Sequence, residues 1–311
     1  MNLPSVPAGT PLRAQTWPLN TRPVVSVLIC TYNHRAYLRD CLDNVLAQIT
    51  DFPVEVIVHD DASSDGTADL VRQYAERFPA CVQAVLQSEN QLSQGRKPRP
   101  LIRPLARGEF VAMCDGDDFW RDALKLQKQV DWLRAHPEHV LCFHDAFYHD
   151  AGGRSLNERN LIPEARRDYT ARELRELRWG WMLMGTMLHR NIPLDLPPEY
   201  ALVPNGDAFF PMLLAAHGGA KYMDDIEPMA YRQSPVSRWT SRPLREQRAM
   251  SARTYLLISA YFLRIGEFEV AHSLLTRQPP NYVNSYLLEV GVLKLVTQQP
   301  ADWVLEPDKK S

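Results

Sequence analysis

Residues 108–120 read GEFVAMCDGDDFW: an apolar run, Phe110 to Cys114, breaks into three carboxylates within four positions (Asp115, Asp117 and Asp118), and two aromatics follow. A short unbroken apolar run is the pattern of a strand buried on both faces. Carboxylates crowded at its end repel one another and raise each other's pKa unless a cation or a hydrogen-bond donor compensates. Asp-x-Asp offers the hard oxygens that Mg²⁺ or Mn²⁺ takes together with substrate phosphates. The end of this strand is therefore a candidate place for a metal that holds a diphosphate.

The same grammar recurs upstream. Val24 to Thr31 (VVSVLICT) is an apolar run ending in the polar TYN, and VEVIVHDD runs into Asp60 and Asp61. Between them Leu38, Cys41, Leu42, Val45 and Leu46 recur at helical spacing. ASSDGTADLVRQYAERF supplies a turn, a cap at Ser64 or Asp65 and a helix with Leu70, Val71, Tyr74 and Phe78 on one face. CVQAVLQ reads as a third strand and GEFVAMC as the fourth. This alternation predicts an α/β domain with a mostly parallel central sheet flanked by helices, in which ligands bind beyond the carboxyl ends of the strands.

Downstream, ALKLQKQVDWLRAHP predicts a helix and VLCFHDAFYHD one further strand. Residues 152–178 read as polar and irregular, and WGWMLMGTMLH as a return to the sheet. NGDAFFPMLLAAHGG predicts a short helix closed by a Gly pair, with Pro211 fitting best in its first turn. From Leu244 onward REQRAMSARTYLLISAYFLRIGEFEVAHSLL and NYVNSYLLEVGVLKLV read as helices separated by RQPPN, a helical hairpin and one more helix. The predicted organisation is a loose Pro-rich tail over 1–22, a catalytic domain over 23–243 and a helical appendage over 244–311.

Composition narrows the function classes. The chain has 311 residues, 45% hydrophobic and 23% charged, as in an ordinary globular protein. A formal net charge of -2 supplies no global positive field for a polyanion, so nucleic acid is not an expected partner. The five cysteines are scattered without CxxC spacing and read as reduced core residues. No stretch reaches the ~18 apolar residues of a membrane span, and the N-terminus lacks the apolar segment of a secretory signal. A cytoplasmic protein is expected, with room for peripheral attachment at the inner face of the cell membrane.

With the three strand-end clusters in this order, the chain resembles the family 2 glycosyltransferases over roughly Val24 to Trp239. The segment GEFVAMCDGDDFWRDALKLQKQVDWL is similar to a bacterial surface-polysaccharide subgroup. The resemblance implies the GT-A fold and inverting, metal-dependent transfer of a sugar from a UDP- or dTDP-type donor to a glycan or lipid-linked glycan. It also implies roles for individual residues. Thr31, Tyr32 and Asn33 would line the nucleotide pocket, joined by Asp60 and by Asp61, the acceptor of the base N3–H. Asp115 would face the ribose or the Mg²⁺ or Mn²⁺ ion, Asp117 would be the principal metal ligand, and Asp118 is the flanking acid. Arg96 and Lys97, in the basic stretch QGRKPRPLIRPLARG, would meet the diphosphate, and Asp207 in NGDAFF would be the base for the acceptor hydroxyl.

One departure stands out. Relatives carry Tyr-Arg-x-His near the end of the catalytic domain, and YRQSPVSRW places Ser234 at the His position. Gln233, Arg238 or His189 is then a candidate substitute, and a donor-binding scaffold of the same fold with weak turnover is the alternative function. Nucleotidyltransferases and Asp-dependent phosphatases also use strand-end carboxylates and Mg²⁺. Neither a Gly-rich basic loop nor an Asp pair follows the first strand here. His59, His144 and His149 read as core or loop residues, and Trp179 and Trp181 as core packing or an acceptor-sugar platform.

Overall fold

The computed structural model describes residues 9–18, 21–176, 182–234, 237, 239 and 241–277. Contacts divide the chain into two compact units. One comprises Met1–Leu174, Arg178–Leu194 and Leu214–Ser234, the other Arg175–Leu177, Asp195–Leu213 and Pro235–Ser311.

The first unit is built on a seven-stranded sheet in the order β3 (Val82–Leu86), β2 (Val54–Asp60), β1 (Val25–Thr31), β4 (Phe110–Asp115), β8 (Leu188–Arg190), β5 (His139–Phe143), β9 (Gly219–Tyr222). β1 pairs in parallel with β2 and β4, and β2 with β3, whereas β8 runs antiparallel to its neighbours. The crossovers are α1 (Leu38–Leu46) and α2 (Thr67–Arg77), and α4 (Lys125–Ala135) follows the acidic motif. Alternate residues Val25, Val27 and Ile29 of β1, Val56 and Val58 of β2, and Phe110, Ala112 and Cys114 of β4 form one core with Leu38, Leu42, Leu70 and Leu126. That two-sided burial is why these strands read as continuous apolar runs.

A second sheet, β10 (Met229–Arg232), β6 (Ala146–His149) and β7 (Ser155–Arg159), corrects the expected single strand VLCFHDAFYHD. The break comes at Asp145, whose 1% exposed carboxylate accepts the Ala146 and Leu161 N–H groups at 2.8 and 3.0 Å and pairs with Arg159 and Arg166. A buried charge must be fully hydrogen-bonded, and the chain turns out of the first sheet to do so. Residues 152–176 also hold more regular structure than expected. They contain β7 and α5 (Ala171–Glu176), which opens on a Thr170/Glu173 capping box, Glu173 N–H to Thr170 Oγ1 at 3.2 Å and Thr170 N–H to Glu173 Oε2 at 3.0 Å. Among the described residues of WGWMLMGTMLH, Leu188 and His189 enter the sheet, as part of β8. Trp179 and Trp181 lie outside the described residues.

The tail is a further correction where it is described. Leu12 is 3% exposed, its N–H donates to Gln48 O at 2.8 Å, and Gln15 Nε2 donates to Thr50 O at 2.7 Å. One buried leucine and two hydrogen bonds, to the carbonyls of Gln48 and Thr50, anchor the described part of this proline-rich strap.

In the second unit lie α6 (Pro198–Leu202), most of α7 (Gly206–Leu214), α8 (Leu244–Arg264) and α9 (Phe268–Arg277). Pro211 sits inside α7 rather than in its first turn. Gly266, at φ 84, makes the turn between α8 and α9. Tyr261 meets Phe209 edge-on at 5.2 Å between ring centroids, and Arg264 forks onto Glu199 at 2.7 and 2.8 Å. NYVNSYLLEVGVLKLV lies outside the described residues. Among the described residues no helix is long and apolar enough to cross a membrane.

Candidate donor site at the carboxyl ends of β1, β2 and β4

Parallel register sets the site. Thr31 is level with Asp60, and Cys30 with Asp115, so the loops leaving β1, β2 and β4 start side by side. Asp61 N–H donates to Thr31 O at 3.0 Å and Gly116 N–H to Cys30 O at 2.9 Å, which ties the first residue of each loop to the middle strand. Thr31, Tyr32, Asn33, Asp60, Asp61, Asp115 and Asp117 are thereby gathered at one edge of the sheet.

The TYN turn and the DDASSD loop interlock. Asn33 adopts φ 54, a left-handed conformation that Asn tolerates better than most residues. Its N–H reaches Ser63 Oγ at 2.8 Å and its Oδ1 accepts the Ser64 N–H at 2.9 Å. Asp60 holds Ser63 through both carboxylate oxygens. Asp61, 2% exposed, accepts the N–H groups of Gln91 and Leu92 at 2.8 and 3.2 Å. Each carboxylate oxygen has a second lone pair, so these bonds leave acceptor capacity. Tyr32 stands outside the network with 44% of its surface exposed.

The acidic motif splits into three environments. Asp115 is bound by Arg99, whose Nη2 lies 3.0 and 2.8 Å from its two oxygens. Asp117 projects its carboxylate toward His34, with Oδ2 and Nε2 3.8 Å apart. Asp118 turns inward at 4% exposure and accepts the Arg232 N–H at 2.8 Å. Burial, reinforced by the neighbouring Asp117 carboxylate, pushes Asp118 well above the ordinary carboxylate range. It anchors the loop to β10, where Phe119 also pairs with Ala230.

Two cations that the sequence did not single out organise this loop. Arg99 belongs to α3 (Pro98–Ile102), a short helix inside the basic stretch QGRKPRPLIRPLARG. Arg96 is exposed and directed at Gln91 Oε1, 3.2 Å away, and Lys97 immediately precedes the helix. Arg232, 3% exposed, donates to the carbonyls of Asp117 and Ala151 at 2.9 Å each and to Asp40 at 2.8 Å, with its guanidinium near the faces of Tyr37 and Phe119. The planar fork of Arg makes such multiple fixed contacts possible.

Of the proposed substitutes for the usual His, His189 is a core residue of β8 level with Val111, held near 4 by burial. Gln233 is exposed and pairs through its backbone with His149, and Arg238 lies outside the described residues. Ser234 is 3% exposed with no hydrogen-bond partner for Oγ among the described residues. His59, His144 and His149 are buried, as a core role requires.

Gly116 is needed where it stands. A Cβ there would lie 2.8 Å from Thr31 Cβ and Oγ1 and 3.1 Å from His34 Nδ1. Because the end of β1 is held in the sheet, Gly116→Ala is expected to destabilise the protein by about 1–3 kcal/mol. A thermal melt checks this, and an unchanged midpoint would show that the loop can yield.

No group of three or more His, Cys, Asp and Glu side chains among the described residues forms a complete metal cage. The donor set nevertheless fits Mg²⁺ or Mn²⁺, which bind through one or two carboxylates and leave the remaining positions to water and substrate phosphates. Asp115 is held by Arg99 and Asp118 is buried, while Asp117 lies 3.8 Å from His34, the ionisable group beside it. Asp207 lies in the first turn of α7, in the second unit.

A sequence profile described as glycosyl transferase family 2 matches residues 26–188, just over half of the chain. The protein is 44% identical over 120 residues to the uncharacterized protein Rv1520 of Mycobacterium tuberculosis, covering 39% of this chain and 34% of that one. It is 28% identical over 193 residues to the poly(ribitol-phosphate) beta-N-acetylglucosaminyltransferase TarS of Staphylococcus aureus, covering 60% and 29%. The chain thus spans about a third of the length of these curated relatives. TarS 1-349 in complex with UDP superposes with a TM-score of 0.57 at 20% identity, over 85% of this chain and 72% of that one. The mannosyltransferase PcManGT of Pyrobaculum calidifontis, in complex with GDP-Man and Mn²⁺, gives 0.57 at 20% identity over 92% and 79%. These neighbours have the GT-A fold, and so has this chain.

Proposed function

This chain belongs to glycosyl transferase family 2, and on that premise we propose that it is an inverting, divalent-cation-dependent glycosyltransferase. It moves a sugar from a nucleoside-diphosphate donor, UDP- or dTDP-linked, to a hydroxyl of a growing bacterial surface glycan or its lipid-linked precursor. The observation that carries this reading is the convergence of Thr31, Asn33, Asp61, Asp115 and Asp117 at the carboxyl ends of adjacent parallel strands. The UDP, GDP-Man and Mn²⁺ named for the structural neighbours, and the polymer named for TarS, support it.

In this reading Asp61 accepts the base N–H with the lone pairs its backbone bonds leave unused, and the interlocked Asn33, Ser63 and Ser64 keep the nucleoside pocket in shape. Asp115 faces the ribose, or shares with Asp117 the holding of the Mg²⁺ or Mn²⁺. The cation, when bound, supplies positive charge against the charge that develops on the departing diphosphate. Arg99, which holds Asp115, adds positive charge at the same strand end, with Arg96 and Lys97, just before α3 in the chain, as diphosphate contacts. Asp207 removes the proton of the acceptor hydroxyl as the new bond forms. The protein works at the cytoplasmic side, where nucleotide-sugar donors and a membrane-proximal acceptor meet, and the C-terminal helices contact the membrane or a partner enzyme. Truncation after residue 243 that left membrane fractionation unchanged would remove that last element.

The test is calorimetric titration of UDP-, GDP- and dTDP-sugars with Mn²⁺, with Mg²⁺ and with chelator. One nucleotide class is expected to bind in a metal-dependent way, and Asp117→Ala to weaken it at least tenfold (about 1.4 kcal/mol). Absence of binding by every nucleotide under every metal condition would overturn the reading.

A further inference from the structure

Resting on the reading of Asp117 as a cation ligand, we propose that His34 is a second protein ligand of the same divalent cation, donating through Nε2. His34 follows the Asn33 turn, and its carbonyl accepts the Tyr37 and Leu38 N–H groups at 2.9 and 2.8 Å, so the start of α1 fixes its backbone. Its ring meets Tyr37 edge-on, 6.4 Å between centroids. On the other side the ring is bordered by Gly116, whose missing Cβ leaves the space that Nδ1 occupies. The ring is thereby aimed, with Nε2 3.8 Å from Asp117 Oδ2 and both side chains about one-seventh exposed (14% and 13%).

Two donors bound at ~2.1 Å to one octahedral ion lie ~3 Å apart when adjacent. The observed separation therefore closes by less than an ångström, within the reach of side-chain rotation. Ligation through Nε2 requires the neutral imidazole with its proton on Nδ1. Nδ1 is buried without a hydrogen-bond partner, as is Thr31 Oγ1, and both border the bare face of Gly116. An Asp–His pair with one imidazole nitrogen also carries a selectivity consequence. Carboxylate, water and phosphate oxygens suit Mg²⁺ and Mn²⁺ alike, whereas an imidazole nitrogen favours the transition metal. His34 thus tilts the site toward Mn²⁺ in the presence of Mg²⁺.

Pulsed EPR on Mn²⁺ bound to the full chain, with UDP, GDP and dTDP tried in turn, reads the nitrogen directly. The expected result is ¹⁴N modulation that converts to the ¹⁵N pattern in protein grown on [¹⁵N]histidine and disappears in His34→Gln. Mn²⁺ affinity should fall about tenfold in that variant and Mg²⁺ affinity by much less. His34→Glu, which restores a donor as oxygen, should recover Mn²⁺ affinity without the nitrogen signal and so separates ligation from misfolding. Asp117-dependent Mn²⁺ binding with no histidine nitrogen coupling overturns the role of His34 and leaves the donor-site reading standing. No Asp117-dependent Mn²⁺ signal with any of the three nucleotides overturns both.

Discussion

Asp207→Asn is expected to lower sugar transfer by roughly 10²–10⁴-fold while leaving the dissociation constant for the nucleotide donor within twofold, because a positioned general base contributes about that much. The substitution keeps size and one carbonyl oxygen but removes the ability to take a proton. Asp207 lies in the first turn of α7, a helix of nine residues, where a carboxylate is also favoured by the helix dipole alone. The two roles make opposite predictions. If the acid only complements the helix terminus, Asn is an acceptable resident and costs a few tenths of a kcal/mol of stability with turnover intact. Steady-state kinetics against a saturating acceptor, paired with donor titration, separates them: turnover within twofold of wild type would remove Asp207 from the chemistry.

The parts of the site that were legible in the sequence are those written locally. β1, β2 and β4 are buried on both faces, so each is a mostly apolar run, and Thr31, Asp60 and Asp115 are the polar residues on which the three strands end. What escaped depends on partners distant in sequence. Arg99 was hidden by Pro98 and Pro100, which read as loop, although a proline at the first position of a helix is favourable. His34 had no periodic signal, and its significance comes from Asp117 in another loop. Arg232 was noticed only as the neighbour of a missing His, whereas its contacts reach Asp40, Asp117 and Ala151. The break at Asp145 has the same character, since the groups that satisfy it include Leu161, Arg159 and Arg166. The Thr170/Glu173 capping box, by contrast, was readable as T-x-x-E and was passed over in a polar stretch.

Replacing Lys125 with Met is expected to remove a pH dependence of stability that the wild-type protein carries between pH 7 and 9. Lys125 is fully buried, with Nζ 2.6 Å from Gln129 Oε1 and 4.2 Å from the centroid of the Trp120 ring. Burial, opposed by Cys142, Cys114 and Asp122, pushes its ammonium down from 10.5 to about 7. The folded pKa lies below the unfolded one, so between them the unfolded chain binds more protons and stability rises with pH. Below pH 7 both states are protonated and the folded state bears the full cost of the buried charge; above 10.5 neither does. In that window the residue contributes a slope of up to about 1.4 kcal/mol per pH unit. Urea denaturation at pH 7 and pH 9, under reducing conditions, should therefore show wild type gaining on Lys125→Met by roughly 2–3 kcal/mol. A constant difference between the two proteins would mean that the amine keeps its proton inside the fold. The geometry indicates what holds it there despite the cost. Trp120, two residues beyond Asp118, donates Nε1–H to Gly185 O at 2.8 Å, and Gln129 donates to Thr186 O at 3.0 Å. Lys125 sits between these two side chains, so the amine that weakens the fold at neutral pH also braces the loop that carries the acidic motif.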